Sequence, residues 1–261
     1  MIQLNIRFLM ASFLLIQMFI IPQTTYSQES EFLIYQDGET ELEGYLVLPA
    51  DHAHSTPGIL IVHQWMGLSD HEKEVADRLA QEGYVAFAVD IYGKGDRPTD
   101  RSEAGKYAMK YKGDTDLYRR RLNAAFETLR MRPEVDSNRI AVIGYCFGGT
   151  GALELARSGA DIKAAVSLHG GLSTPDPEDA RQIKGTVLVL HGADDQAVRD
   201  DELMDFVEEM RNADVDWYLM IFGNSVHGFT HRHDPDRYNK LAEERSWEAM
   251  LDLFNEVFYS V

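Results

Sequence analysis

Short apolar runs recur along the chain, separated by polar stretches whose apolar residues fall at helical spacing. Residues 32–36 and 41–48 read as two strands around Asp37-Gly38, a hairpin signal. Residues 58–63 form an apolar run short enough for a buried strand. A helix is expected at 70–82, where Val75, Leu79 and Ala80 share a face, Ser69 or Asp70 supplies a cap, and Gly83 ends the element. Residues 84–89 read as the next strand, closed by Asp90, and a loop with Gly93, Gly95 and Pro98 follows. Helices are expected at 101–111 and 115–130, the second carrying Leu117, Leu122, Phe126 and Leu129. Runs at 140–143, 162–168, 186–190 and 215–221 read as strands. Helices are expected at 151–157, at 200–210 and, with an amphipathic pattern, at 240–258. Strands alternating with helices predict an α/β fold. Its sheet is mostly parallel and covered on both faces, with antiparallel strands added by the leading hairpin.

The first residues break this pattern. Residues 1–7 carry one positive charge and no negative one, and 8–21 is a nearly unbroken apolar run ended by Pro22. Small residues around Thr25 and Ser27 complete the pattern of a secretory signal peptide over 1–27, with a domain at 28–261 that is exported, either periplasmic or secreted. A retained anchor is the alternative, but a membrane span needs roughly 20 apolar residues. After removal of the signal, no stable membrane insertion is expected. At 261 residues with 44% hydrophobic content, the chain is long enough for one sizeable α/β core. A formal net charge of −18 argues against nucleic acid or an anionic membrane surface as partner. The chain holds one cysteine, so no intramolecular disulfide forms, and an exported lone thiol is either buried or used.

That cysteine sits in Gly144-Tyr145-Cys146-Phe147-Gly148-Gly149, between a predicted strand and a helix. Strand, Gly-flanked turn and helix start are the frame of a nucleophile elbow, with Cys where the usual pattern has Ser. At a helix N-terminus, free N–H groups and the helix dipole favour a thiolate and an oxyanion. In an open parallel sheet, ligands bind beyond the carboxyl ends of the strands, so the residues after each strand matter most. Those ends supply His63-Gln64-Trp65-Met66-Gly67, the Cys146 elbow, Asp194-Asp195 and His227-Gly228-Phe229. Nucleophile, acid and His then occur in the α/β-hydrolase order. Cys146 is expected to attack, His227 to carry its proton, and Asp195 or Asp194 to orient the imidazole. The N–H groups of Phe147 and Trp65 are the expected oxyanion donors. His63, His169 and His191 read as structural. His227, His231, His233 and Asp234 have the look of a metal cluster, but a loop rich in His is more often solvated, and neither metal nor cofactor is expected.

The chain from about 32 to 258 resembles the dienelactone hydrolase family. The marks are the Cys146 hexapeptide, the loop from His63 to Leu68, Ala88-Val89-Asp90-Ile91-Tyr92-Gly93, Asp195-x-x-Val198, His227-Gly228-Phe229 and the Arg245-Ser246-Trp247-Glu248-Ala249-Met250 helix. The resemblance implies an α/β-hydrolase fold and a Cys-His-Asp triad that opens small esters or lactones through a thioester. Its Asp-x-x-Val spacing favours Asp195 over Asp194. Two positions depart from the family's best-known type. Gln64 stands where a Glu lies beside the thiol, and His231 stands where an Arg holds the substrate carboxylate; an earlier Arg position falls near Glu103. Gln64 and His231 are therefore the expected substrate contacts, on a small-molecule substrate met by a monomer. The competing reading is a weakened site in a ligand-binding or redox-thiol protein.

Overall fold

Residues 28–51 and 55–260 are described by the computed structural model; the signal-peptide reading of 1–27 lies outside them. The chain begins with a hairpin, β1 (Glu29–Asp37) and β2 (Thr40–Leu48), turning at Gly38 with φ +60°. Then follow β3 (Thr56–Val62), α1 (Asp70–Gln81), β4 (Val85–Val89), α2 (Arg101–Gly113) and α3 (Thr115–Arg130). The second half holds β5 (Val135–Tyr145), α4 (Phe147–Arg157), β6 (Ala164–Leu168) and β7 (Thr186–Gly192). It ends with α5 (Asp200–Ala213), β8 (Trp217–Phe222) and α6 (Lys240–Tyr259). The eight strands form one sheet in the order β1-β2-β4-β3-β5-β6-β7-β8. β2 is antiparallel to both β1 and β4, and every other pairing is parallel. The mostly parallel sheet with an antiparallel leading hairpin is the architecture expected from the sequence.

Alternate residues of a strand face opposite sides of a sheet, and β3 shows what each side meets. Leu60 and Val62 join a core with Leu122, Phe126 and Leu129 of α3. Ile59 and Ile61 join another with Val75 and Leu79 of α1 and Met250 and Phe254 of α6. A strand apolar at every position is thus explained by helices on both faces. Each fully buried Leu, Ile or Phe contributes roughly 1.5–3 kcal/mol relative to exposure, so these layers hold the strand ends in place.

Three elements differ from expectation. α4 starts at Phe147 rather than near residue 151. Glycine disfavours a helix by about 1 kcal/mol relative to Ala, yet Gly148, Gly149 and Gly151 all lie inside it. Contact decides the matter, because an added Cβ would lie 2.1 Å from Val62 O at Gly148 and 2.4 Å from the Tyr118 hydroxyl at Gly151. β5 is longer than the apolar run, since Val135 pairs with Thr56 before a register shift admits Asp136 to Arg139. A 3₁₀ turn, Pro177–Gln182, has no apolar period to announce it. The Arg119-Arg120-Arg121 run, expected as a solvated face, is partly committed. Arg119 pairs with Glu154 and Asp179, and the largely buried Arg121 pairs with Asp37.

Candidate active site

The carboxyl ends of β3, β5, β7 and β8 bring the predicted chemistry to one place. β5 ends at Tyr145, Cys146 takes φ +56° and ψ −112°, and α4 begins one residue later. A non-glycine residue in that region is strained, and such strain persists only where surroundings fix it. They do so here by close packing: a Cβ on Gly144 would fall 1.9 Å from Gly148 O. Only glycines on both sides let the chain turn this sharply. Cys146 N–H donates to Leu168 O at 3.0 Å, and its carbonyl accepts from Gly149 at 3.1 Å, so the elbow is anchored on both flanks.

Cys146 Sγ lies 3.0 Å from Nε2 of His227, whose Nδ1 lies 2.9 Å from Asp195 Oδ2. The other carboxylate oxygen, Oδ1, accepts from the N–H groups of Ala197 at 2.8 Å and Val198 at 3.2 Å. That turn gives the Asp-x-x-Val spacing its physical meaning. Asp194 is exposed; its N–H donates to Ser225 O, and the carboxylate that meets the imidazole belongs to Asp195. Burial opposes charge on His227, but hydrogen bonds to Asp195 and Cys146 outweigh it and push its pKa from 6.5 up to about 9. Burial would raise the Asp195 carboxyl, yet the His227 imidazole and the two backbone N–H groups hold it below its ordinary range.

Sulfur and imidazole open into a cavity of 620 Å³. Its walls include Trp65 from the loop after β3, Ala108, Met109, Tyr111 and Lys112 from α2, and Tyr118 from α3. Phe147, Thr150, Ser173 and Val198 complete much of the remainder. Beneath it, Phe147 stacks on Tyr118 with ring centroids 4.7 Å apart, and the Tyr118 hydroxyl donates to Phe147 O at 2.9 Å. Phe147 opens α4, where helix N–H groups lack intrahelical acceptors. Among the described residues, neither the Phe147 nor the Trp65 N–H has a protein acceptor.

Gln64 and His231 are not among the cavity-lining residues. The Gln64 backbone is held on α1, with its N–H donating to Glu72 Oε1 at 3.2 Å. The His231 ring stacks on His71 of α1 at 5.6 Å, and its N–H closes a turn onto Gly228 O. The residues that do line the cavity come from other segments of the chain. His227 is bound to Asp195, apart from the ring contacts of His231 with His71 and, at 6.5 Å, with His233. Among the described residues no three metal-ligating side chains gather into a site. His63 orders its own loop: Nδ1 lies 2.6 Å from Gln64 O, and Nε2 accepts from Ile91 N–H at 3.2 Å. His169, buried with φ +42°, meets Thr230 Oγ1 at 2.8 Å and sets its ring 5.4 Å from His227.

Sequence reasoning did not find the α2 wall, the segment 171–175 or Glu72. α2 lacks a strong apolar stripe, so nothing marked which of its faces lines the cavity. Glu72 was legible in principle, because Ser69 and Glu72 have capping-box spacing.

A Cys-His-Asp chain at the strand ends of a mostly parallel sheet is the arrangement of an α/β-hydrolase. The sequence profile of the dienelactone hydrolase family matches residues 42–258, and the chain belongs to that family. Among solved structures, one named m3DLH shares 41% identity and superposes with a TM-score of 0.84, covering 88% of this chain and 99% of its own. The dienelactone hydrolase-like promiscuous phosphotriesterase P91 from metagenomic libraries shares 39% identity at a TM-score of 0.82, covering 88% and 98%. A putative carboxymethylenebutenolidase of Aquifex aeolicus is 26% identical over 224 residues, 84% of this chain and 95% of its own. The chain is accordingly a hydrolase of esters or lactones.

Proposed function

We propose that this hydrolase cleaves small carboxylic esters or lactones through a thioester on Cys146. The Cys146 sulfur attacks the carbonyl carbon, and the thiol proton resides on His227. The tetrahedral oxyanion is held by the N–H groups of Trp65 and Phe147. As the C–O bond breaks, His227 protonates the leaving alkoxide, which stays tethered when the substrate is a lactone. Water then attacks the thioester and gives a proton to His227, the acid departs, and the sulfur recovers its proton. Asp195 holds the imidazole in the tautomer this sequence needs and stabilises its protonated form. The observation that carries the reading is the continuous path Sγ–Nε2–Nδ1–Oδ2, with contacts of 3.0 and 2.9 Å, opening into a cavity of small-molecule size.

Hydrolysis of p-nitrophenyl acetate by the purified protein and by Cys146→Ala tests it. The variant is expected to lose at least about 10³-fold in kcat, the scale seen when a triad member is removed. Equal rates would return the thiol to the ligand-binding or redox reading. A phosphotriester in the same panel asks whether the promiscuity named for P91 extends to this chain. Export is proposed on the charge and apolar pattern of residues 1–27. N-terminal sequencing of the protein from its host locates the cleavage site, expected after Ser27; an intact N-terminus would favour the anchor.

A further inference from the structure

The loop after β3 offers its backbone in an uneven way. Several of its carbonyls are taken: Gln64 O meets His63 Nδ1 at 2.6 Å and accepts from Gly67 N–H at 3.1 Å. Trp65 O accepts from the Tyr92 hydroxyl at 2.9 Å, and Leu68 O accepts from Arg97. Its N–H groups at Gln64 and Ser69 both donate to one buried carboxylate, Glu72 of α1. The distances are 3.2 Å to Oε1 and 2.9 Å to Oε2, with the Ser69 hydroxyl on Oε2 at 2.6 Å. Between those two fixed ends, the N–H groups of Trp65, Met66 and Leu68 have no protein acceptor among the described residues. Of the three residues, only Trp65 lines the cavity with Cys146. Tyr92 is itself held, because Asp90 Oδ1 accepts from the N–H groups of Tyr92 at 3.0 Å and Gly93 at 3.2 Å.

An oxyanion donor works by being aimed before the charge develops, and a loop free to rotate would spend that advantage on reorganisation. We propose that Glu72 is a positioning residue of the oxyanion hole, gripping both ends of the loop while Tyr92 fixes the Trp65 carbonyl, so that the Trp65 N–H faces the carbonyl oxygen under attack. This rests on the thioester reading above. Glu72 thereby does two jobs: it closes the capping box of α1 and sets an element of the site from a position that does not line the cavity. A glutamine there would put an amide NH₂ against one of the N–H groups now donating to the carboxylate, which is why the change acts on the loop.

The test compares wild type with Glu72→Gln, Tyr92→Phe, Ser69→Ala and Cys146→Ala. Each is assayed on p-nitrophenyl butyrate, and the active proteins also for inhibition by butyraldehyde. The aldehyde carbon accepts the Cys146 sulfur and its oxygen takes the thiol proton, giving a hemithioacetal whose oxygen occupies the oxyanion position. Glu72→Gln is expected to lower kcat and raise the butyraldehyde inhibition constant together by about 10-fold, with KM within about 2-fold. Complete loss of an oxyanion donor reaches about 10²–10³-fold, so a displaced donor falls below that. Tyr92→Phe moves both values the same way by about 3-fold, and it reports independently if Glu72→Gln folds poorly. Ser69→Ala removes the capping hydroxyl but leaves both backbone grips. It is expected to lower Tm and to raise the inhibition constant less than Glu72→Gln does, because the Ser69 hydroxyl is one of three groups on the Glu72 carboxylate. If Glu72→Gln and Tyr92→Phe leave kcat and the inhibition constant within 2-fold of wild type while Cys146→Ala is inactive, the positioning role is wrong and the thioester reading stands. If Cys146→Ala retains wild-type kcat, the thioester reading itself fails, and with it the basis of this inference.

Discussion

The floor of the cavity and its α2 wall are built on opposite terms. On the floor, Cys146 is wedged between glycines that touch backbone, Asp195 is held by His227 and two N–H groups, and the loop from His63 to Ser69 is tied at both ends. On the wall, α2 buries only Ala104 and Tyr111 and turns Met109, 74% exposed, and Lys112 toward the cavity. Lys112 is the one Lys or Arg among the described lining residues. The difference follows from what each region is for. On the proposed reading, chemistry tolerates little displacement of sulfur, imidazole or oxyanion donor, so the segments that carry them are tied down on either side. Substrate fit is adjusted by side chains whose replacement disturbs little else, so the wall is lightly tied.

If that contrast is right, substitutions on the floor change the rate steeply and those on the wall change selectivity gently. The largest effect is expected from Asp195→Asn. An amide oxygen still accepts from Ala197 and Val198, so the turn survives, but the imidazole loses its tautomer control. A fall in kcat/KM of roughly 10³–10⁴-fold is predicted, by analogy with the same change in serine triads. A loss under 10-fold, measured by initial rates with circular dichroism unchanged, would remove Asp195 from the floor.

A smaller effect concerns stability and pH. The His227 pKa is raised from 6.5 to about 9 in the folded protein. Its contribution to stability is therefore fully present below about 6.5 and is lost as the pH rises through about 9. Thermal melts of wild type and His227→Gln are expected to differ more at pH 6 than at pH 10. Parallel curves would mean that the imidazole is not held as described.

The smallest effect is expected from Met109→Ala. Its exposure predicts a stability change within about 0.5 kcal/mol, whereas kcat/KM across acetyl, butyryl and hexanoyl esters changes by up to about 10-fold, longest most. Uniform change across the series would mean that α2 does not meet the acyl chain.

The fold was legible in the sequence because the strands are apolar at nearly every position and the helices between them are apolar on one side. The gathering of Cys146, Asp195 and His227 was legible because strand ends in such a sheet converge, and chain order fixes which meet. α4's early start was not, since the reason Gly148 and Gly151 tolerate a helix lies in contacts with β3 and α3 across the sequence. Which side chains line the cavity was hidden for a related reason. Gln64 and His231 sit near Trp65 and His227 in sequence, but neither lines the cavity; the Gln64 N–H donates to Glu72 of α1, and the His231 ring stacks on His71. Neighbours on a tight turn diverge in space, while Met109 and Lys112 come to the cavity from a helix more than thirty residues before Cys146.

The central claim is that the sulfur of Cys146 carries the acyl group. Rapid quench in acid during turnover of p-nitrophenyl butyrate, followed by intact-protein and peptide mass spectrometry, tests it directly. A butyryl increment on the peptide containing Cys146, lost on treatment with hydroxylamine and absent in Cys146→Ala, is the predicted result. Turnover at the wild-type rate in Cys146→Ala, or a butyryl group on another residue that forms and decays fast enough to account for turnover, would contradict it.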